Sequence, residues 1–408
     1  MDFSDSAEEA AYRAKVRAWL EANAPKDGFS NTDGLTIADE IARARAWQAR
    51  KAAAGYAQIT WPKEWGGPGG TPMQQVIYKQ EEAKYDVDSP YFILALGMCI
   101  PTVMAVGDEA TKQRFVGPGL RGEDIWCQLF SEPASGSDAA AARTMAVRQG
   151  DEWVVNGQKV WTSGAHLSDY GLLLARTDVD VPKHKGMTMF WVDMKSPGIE
   201  VRPIHQMSDN SGFGFNEVFF TDLRIPDSQR LGGVGEGWKV AIITLMNERL
   251  SIGGGNGPDY SDFMRLARDV TSGGESALAN PALRERIADW YVQSEGLRHT
   301  AMRTITALSR GETPGPESSI GKIVGANQAQ DMAREATDLL DQFGVISDPS
   351  LAPFEAMYQT MVLRAPGGRL AGGTDEILKN ILAERVLGLP GEIRLDKDVA
   401  FKDIPRGK

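Results

Sequence analysis

One stretch of this sequence, Gln128 to Ser163, gathers side chains suited to holding a flat, hydrogen-bonding ring. It opens on the mostly apolar run Trp126-Cys127-Gln128-Leu129-Phe130, which leads into the loop Ser131-Glu132-Pro133-Ala134-Ser135-Gly136-Ser137-Asp138. That pattern reads as a strand delivering the chain into an exposed turn. Two β-prone runs follow, Thr144 to Val147 and Trp153 to Val155, joined through Gln149-Gly150-Asp151 as in a hairpin. The second run continues through Asn156-Gly157 to Lys159-Val160-Trp161-Thr162-Ser163, so an indole and two hydroxyls arrive at one strand end. The plainer reading of the same residues is a core tryptophan and an ordinary turn.

A second candidate is a carboxylate on an apolar helix face. Ala241, Leu245, Glu248 and Ile252 fall at i, i+4, i+7 and i+11, one inward stripe. Burial raises a carboxyl's pKa and makes its anion a stronger proton acceptor. A structural ion pair with an arginine explains the same glutamate equally well, and the residues alone leave both readings open. Further on, Thr374 is placed to cap a helix from Asp375 to Leu387, closed by Gly388 and Pro390, and its N-terminus suits a phosphate or carbonyl oxygen. No metal is expected. His166, His184, His205 and His299 lack the i, i+4 pairing of a zinc helix, and Cys99 and Cys127 form neither a ligand spacing nor a disulfide framework.

The elements that must position these residues change character along the chain. With 408 residues, two or three packed domains are expected. Residues 1–125 read as helical: Tyr12, Val16, Trp19 and Leu20 form a stripe opened by the capping-box pattern Ser6-x-x-Glu9, Pro25 ends it, and a break is expected near Pro101. Residues 126–232 switch to short β-prone runs separated by charged or glycine-rich turns, which predicts a small barrel or sandwich. Residues 233–408 return to helices, the first starting at Trp238 after a glycine cluster that no βαβ unit surrounds. The fold class is therefore α+β, helical, then β, then a four-helix-bundle-like domain. A net charge of −11 argues against nucleic acid or an anionic membrane as partner. The amphipathic acidic start and the cysteine usage suit the cytoplasm.

The motifs carry a specific resemblance. SEP-x-SGSD followed by NG-x-K-x-W-T-S resembles the flavin-binding middle domain of the acyl-CoA dehydrogenase family, and the likeness extends over nearly the whole chain, including the loop Trp61 to Gly70 and the closing run Asn216 to Pro226. It implies FAD as cofactor, contacted by Gln128, Phe130, Ser131, Ser137, Trp161, Ser163, Thr374 and Glu376. It implies an acyl-CoA substrate touched by Ser137, Arg249 and the backbone of Gly372, and α,β-dehydrogenation to the 2,3-enoyl-CoA. Most family members place the base in a Y-E-G-T motif, where this chain reads Leu370-Ala371-Gly372-Gly373-Thr374. The subgroup resembling isovaleryl- and long-chain enzymes carries it where Glu248 stands, which implies Glu248 as base. The family's R-x-x-F-G motif is missing from the region Phe263 to Asp269. The resemblance further implies an electron-transfer flavoprotein as acceptor, a homo- or hetero-oligomer such as a tetramer, and a place in fatty acid or steroid catabolism. A non-catalytic or heteromeric subunit, or a flavin oxidase or monooxygenase on the same fold, are the alternatives.

Overall fold

The structure is a computed structural model that describes residues 5–32, 34–208, 212–251, 259–272, 274–310, 315–393 and 395–405. The side chains of 248–251, 272, 308 and 309 lie outside the described set. By contacts the chain forms two compact units, one of Met1–His205, Asn210–Ser251 and Ile393–Lys408, the other of Gln206–Asp209 and Ile252–Glu392.

The first unit begins with helices α1 (Ala7–Asn23), α2 (Ile37–Ala53), α3 (Pro72–Glu82), α4 (Ile100–Val106) and α5 (Glu109–Leu120). Capping boxes start the first three, from Ser6 with Glu9, Thr36 with Asp39, and Thr71 with Gln74. Each satisfies two backbone N–H groups that the first turn leaves orphaned. The stripe read on α1 is buried where expected: Val16 and Leu20 pack with Trp47, Tyr56 and Tyr78. No break occurs at Pro101. A π-helical turn, Ala95–Cys99, runs directly into α4, and Pro101, the second residue of that helix, follows this wider turn without interrupting the helical run.

One sheet follows, of β1 (Trp126–Leu129), β2 (Met145–Gln149), β3 (Glu152–Ser163), β4 (Tyr170–Arg176), β5 (Met187–Asp193), β6 (Ile199–Pro203), β7 (Phe215–Pro226) and β8 (Arg230–Leu231). Its order is β6-β7-β3-β2-β4-β5-β8, with β1 lying parallel to β4. The expected hairpin is β2–β3, turning at Gly150 and pairing Val147 with Val154. One face buries Leu129, Trp153, Val155, Phe190, Val218 and Phe220 as a core. Other buried strand residues, Trp126, Leu172 and Met189 among them, share a second core with Phe115 of α5.

Helix α6 (Gly237–Ser251) adds Val240 and Ala241 to that second core. Its first residue must be small, because a Cβ on Gly237 would stand 2.6 Å from the backbone of Thr188. The last segment of the chain also belongs to this unit. Phe401 and Lys402 donate their N–H groups to Val181 and Val179 at 2.9 and 3.0 Å.

The second unit contains α7 (Tyr260–Asp269), the two-residue strands β9 (Thr271–Ser272) and β10 (Glu275–Ser276), and helices α8 (Pro281–Ser309), α9 (Ser319–Leu339), α10 (Met357–Gly368) and α11 (Asp375–Arg385). Its core gathers Phe263, Leu266, Trp290, Met332, Ala336 and Tyr358 from α7 to α10. Phe263 meets Trp290 edge to face at 4.8 Å.

Candidate active site

The two sequence motifs of the β region meet through a buried ion pair. Lys159 of β3, 0% exposed, places its Nζ 2.8 Å from Glu132 Oε1 and donates to the Phe130 carbonyl at 3.0 Å. Glu132 also accepts the N–H groups of Arg143 at 2.6 Å and Thr144 at 2.9 Å. Burial alone would raise the Glu132 carboxyl, but the Lys159 ammonium and these hydrogen bonds outweigh it and hold the group below its usual range. One residue along, the Val160 N–H donates to Ser131 O at 2.9 Å. Phe130 and Ser131 are thereby fastened beside the strand end that carries Trp161 and Ser163. Ser137 sits on an exposed turn, which closes on itself through Ser135 Oγ donating to Asp138 O at 2.9 Å. Gln128 is half-buried on β1.

At that strand end the register of β3 against β7 shifts between Lys159 and Thr162. Trp161 sits in the shift with φ +58° and is 59% exposed, touching Phe215 edge-on at 5.9 Å. A left-handed tryptophan costs about 1–3 kcal/mol, so the surrounding bonds must fix it. Asn216 supplies one of them, donating from Nδ2 to Thr162 O at 2.9 Å and to Gly214 O at 3.2 Å while its Oδ1 faces His166 Nδ1 at 3.0 Å. Gly164 continues the turn at φ +64°, with the Phe213 ring in the space a Cβ would take.

On α6 the buried face is polar as well as apolar. Thr244 Oγ1 lies 2.9 Å from Thr102 Oγ1 of α4 and donates to Val240 O at 3.1 Å. Glu248 and Arg249 fall on the last turn of the helix, and their side chains lie outside the described residues. Ile252, the last position of the expected stripe, lies outside them too.

In the second unit, Thr374 caps α11 as expected, its hydroxyl accepting the Ile377 N–H at 3.3 Å, and Glu376 is exposed on the first turn. The preceding loop is pinned. Asp375, 2% exposed, accepts from Arg369 Nε at 2.8 Å and Asn327 Nδ2 at 3.2 Å, and Lys322 donates to Gly373 O at 2.6 Å. Gly372 has φ +64°, a left-handed conformation that glycine adopts without the strain a side chain would add.

Comparison with known proteins decides what this constellation belongs to. Family models for the N-terminal, middle and C-terminal domains of acyl-CoA dehydrogenase match residues 6–123, 127–223 and 235–387. The chain belongs to the acyl-CoA dehydrogenase family. These are FAD-dependent oxidoreductases, so this chain is an FAD-dependent acyl-CoA dehydrogenase by family. It is 35% identical to acyl-CoA dehydrogenase IpdE1 of Mycobacterium tuberculosis over 94% of its own length and 98% of that protein. It is 36% identical to acyl-CoA dehydrogenase FadE34 of the same organism over 81% of its length, but spans only 44% of FadE34. A chain of the Tcur3481-Tcur3483 steroid ACAD superposes with a TM-score of 0.79 at 27% identity, over 96% of this chain and all of that one. A chain of the ChsE4-ChsE5 complex from M. tuberculosis gives 0.79 at 25% identity, over 96% and 100%.

The residues present fit a flavin. An exposed indole held in a fixed, strained backbone is a stacking platform, and beside it the buried Thr162 Oγ1 has no hydrogen-bond partner among the described residues. The sequence reading overlooked Glu132, Lys159 and Asn216, which position the rest. Their signal was present: a lysine inside a strand that otherwise buries Val155 and Val160, and an acidic residue beside the proline of its loop. No group of three or more His, Cys, Asp or Glu able to hold a metal occurs among the described residues, and no helix among them is long and apolar enough to cross a membrane.

Proposed function

We propose that the chain catalyses α,β-dehydrogenation of an acyl-CoA thioester, giving the 2,3-enoyl-CoA, with Glu248 as the base. The observation that carries this reading is the joint at Lys159 and Glu132, which ties the Ser131 loop to the strand end bearing an exposed Trp161. Bound FAD would supply the hydride acceptor for the β-hydrogen. Trp161 and Ser163 would flank and hydrogen-bond its ring, with Gln128, Phe130, Ser131, Ser137, Thr374 and Glu376 as further contacts. Glu248 would remove the α-proton, Arg249 and Ser137 would touch the thioester, and the Gly372 N–H would polarise its carbonyl. The residue boundaries 1–125, 126–232 and 233–408 serve as working domains. Electrons would leave to an electron-transfer flavoprotein in the cytoplasm.

The acyl group is proposed to be bulky and steroid-derived, because the Tcur3481-Tcur3483 relative is a steroid ACAD. A second reading makes this chain one subunit of a heteromer. It is favoured by the missing R-x-x-F-G motif and by the two-component ChsE4-ChsE5 relative. An absorbance spectrum of the purified chain, followed by anaerobic addition of isovaleryl-, octanoyl-, palmitoyl- and steroid side-chain CoA thioesters, tests the proposal. Bleaching of a flavin spectrum by one of them supports dehydrogenation. A yellow protein that none of them bleaches opposes it, and a colourless chain that turns yellow only with a homologous partner supports the heteromer.

A further inference from the structure

Arg176, the last residue of β4, is 0% exposed and makes no ion pair among the described residues. Its charge is met by carbonyl groups. It donates to Ala140 O, to Ala142 O at 3.2 and 3.3 Å and to Lys183 O at 2.6 Å. Above it lies the Phe401 ring, whose centroid is 3.7 Å from the guanidinium carbon and 5.5 Å from that of Arg143. A cation over an aromatic face, screened from water, is held more firmly than an exposed one. Ala140 belongs to the short turn Ala139–Ala141 capped by Asp138, so Phe401 reaches the residues directly following the Ser135–Asp138 loop through Arg176.

A second connection reaches the same loop. Lys183 Nζ lies 2.6 Å from Asp138 Oδ2 and 2.6 Å from Asp396 Oδ2, joining the loop to the chain's last segment. Between the two, Pro182 and Ala400 form an antiparallel bridge, and Lys402 pairs with Asp180 at 2.7 Å. Two residues of this segment, Asp396 and Phe401, thus meet the loop's supports Lys183 and Arg176 at a charged and an aromatic contact.

We infer that the segment from Asp396 to Lys402 is a clasp that sets the Ser135–Asp138 loop, with Arg176 and Lys183 as its positioning residues and Phe401 as the wedge that seals Arg176. The inference rests on the proposed contact of Ser137 with the flavin. The clasp holds Ser137 through Asp138 and the turn after it, so loosening the segment weakens FAD binding without removing any group that touches the cofactor.

The test uses the full chain reconstituted with FAD. Phe401→Leu keeps apolar bulk and loses the ring face, Phe401→Tyr keeps the ring, and Asp396→Asn cuts the outer connection alone. Flavin fluorescence gives the FAD Kd, and the visible absorption envelope reports the ring's surroundings. Phe401→Leu is expected to raise the Kd roughly three- to thirtyfold and to shift the envelope, as loss of a buried cation–π contact implies. Phe401→Tyr should match the wild type, and Asp396→Asn should raise the Kd about threefold, the scale of a part-exposed ion pair. An unaltered Kd and envelope in Phe401→Leu, or equal damage in Phe401→Tyr, overturns the clasp. Should Phe401→Leu not fold, an unaltered Asp396→Asn overturns it. A wild type that takes up no FAD sinks the functional reading and the clasp together, whereas a flavin-loaded wild type with unresponsive variants sinks the clasp alone.

Discussion

Lys159 Nζ lies 2.8 Å from Glu132 Oε1, and neither side chain is open to water, at 0% and 6% exposure. The pair is a joint between two segments that sequence distance keeps apart. Each charge has further partners, the Phe130 carbonyl for the ammonium and two backbone N–H groups for the carboxylate. A buried pair satisfied in this way favours one arrangement over others more than it adds net stability.

Truncating one partner should therefore be worse than truncating both. Lys159→Met leaves Glu132 buried without its counter-charge and is expected to cost about 3–5 kcal/mol of unfolding free energy. Lys159→Met with Glu132→Leu should recover much of that loss, yet still purify with less FAD, because the link from loop to strand is gone. Denaturant melts and the flavin-to-protein absorbance ratio check this. A double variant with full flavin occupancy would remove the pair's role in holding the loop.

Asp227 makes a pH prediction. Hydrogen bonds from Arg230 and from the Trp153 indole hold its carboxyl at about 2, below its ordinary 3.8. A depressed carboxyl adds stability that is complete above about pH 4 and is lost as pH falls through about 2. The shift corresponds to roughly 2 kcal/mol. Asp227→Asn should be less stable at neutral pH and lose less between pH 4 and 2 than the wild type. Melting temperatures of both across that range test it, and parallel curves would contradict it.

Much of the fold was legible because local chemistry and tertiary packing agree. Ser6 with Glu9 capped a helix, Val16 and Leu20 faced a core, and Gly150 turned a hairpin, each by rules spanning a few residues. Pro101 was misread as a break because sequence does not distinguish a proline in a first turn from one that ends a helix. The candidate site's motifs stand out in the sequence, whereas the residues that support them do not. Lys159 meets Glu132, Asn216 meets Thr162, and Phe401 meets Arg176 across long sequence separations that no periodicity encodes.

Thr374 is expected to matter as a cap whatever its contact with FAD. Its hydroxyl accepts the Ile377 N–H at 3.3 Å, and replacing such a cap with alanine costs about 1 kcal/mol. Thr374→Ala should lower the melting temperature, and Thr374→Ser should restore it. If Thr374→Ser recovers stability while flavin affinity stays low, the methyl group contributes to the cofactor contact; if Thr374→Ala melts like the wild type, the cap is unimportant.

Glu248 is the sharpest test of the chemistry. Helix α6 continues unbroken to Ser251, so position 248 lies four residues after the buried Thr244 and seven after the buried Ala241. Loss of a general base typically costs about 10²–10⁴ in rate. Glu248→Gln keeps the shape and hydrogen-bonding capacity but takes no proton, so kcat should fall by about that factor while FAD stays bound. Glu248→Asp should retain part of the rate because the carboxylate survives at shorter reach. Stopped-flow reduction of the bound flavin by the acyl-CoA measures the step directly. Reduction at the wild-type rate in Glu248→Gln would overturn Glu248 as the base.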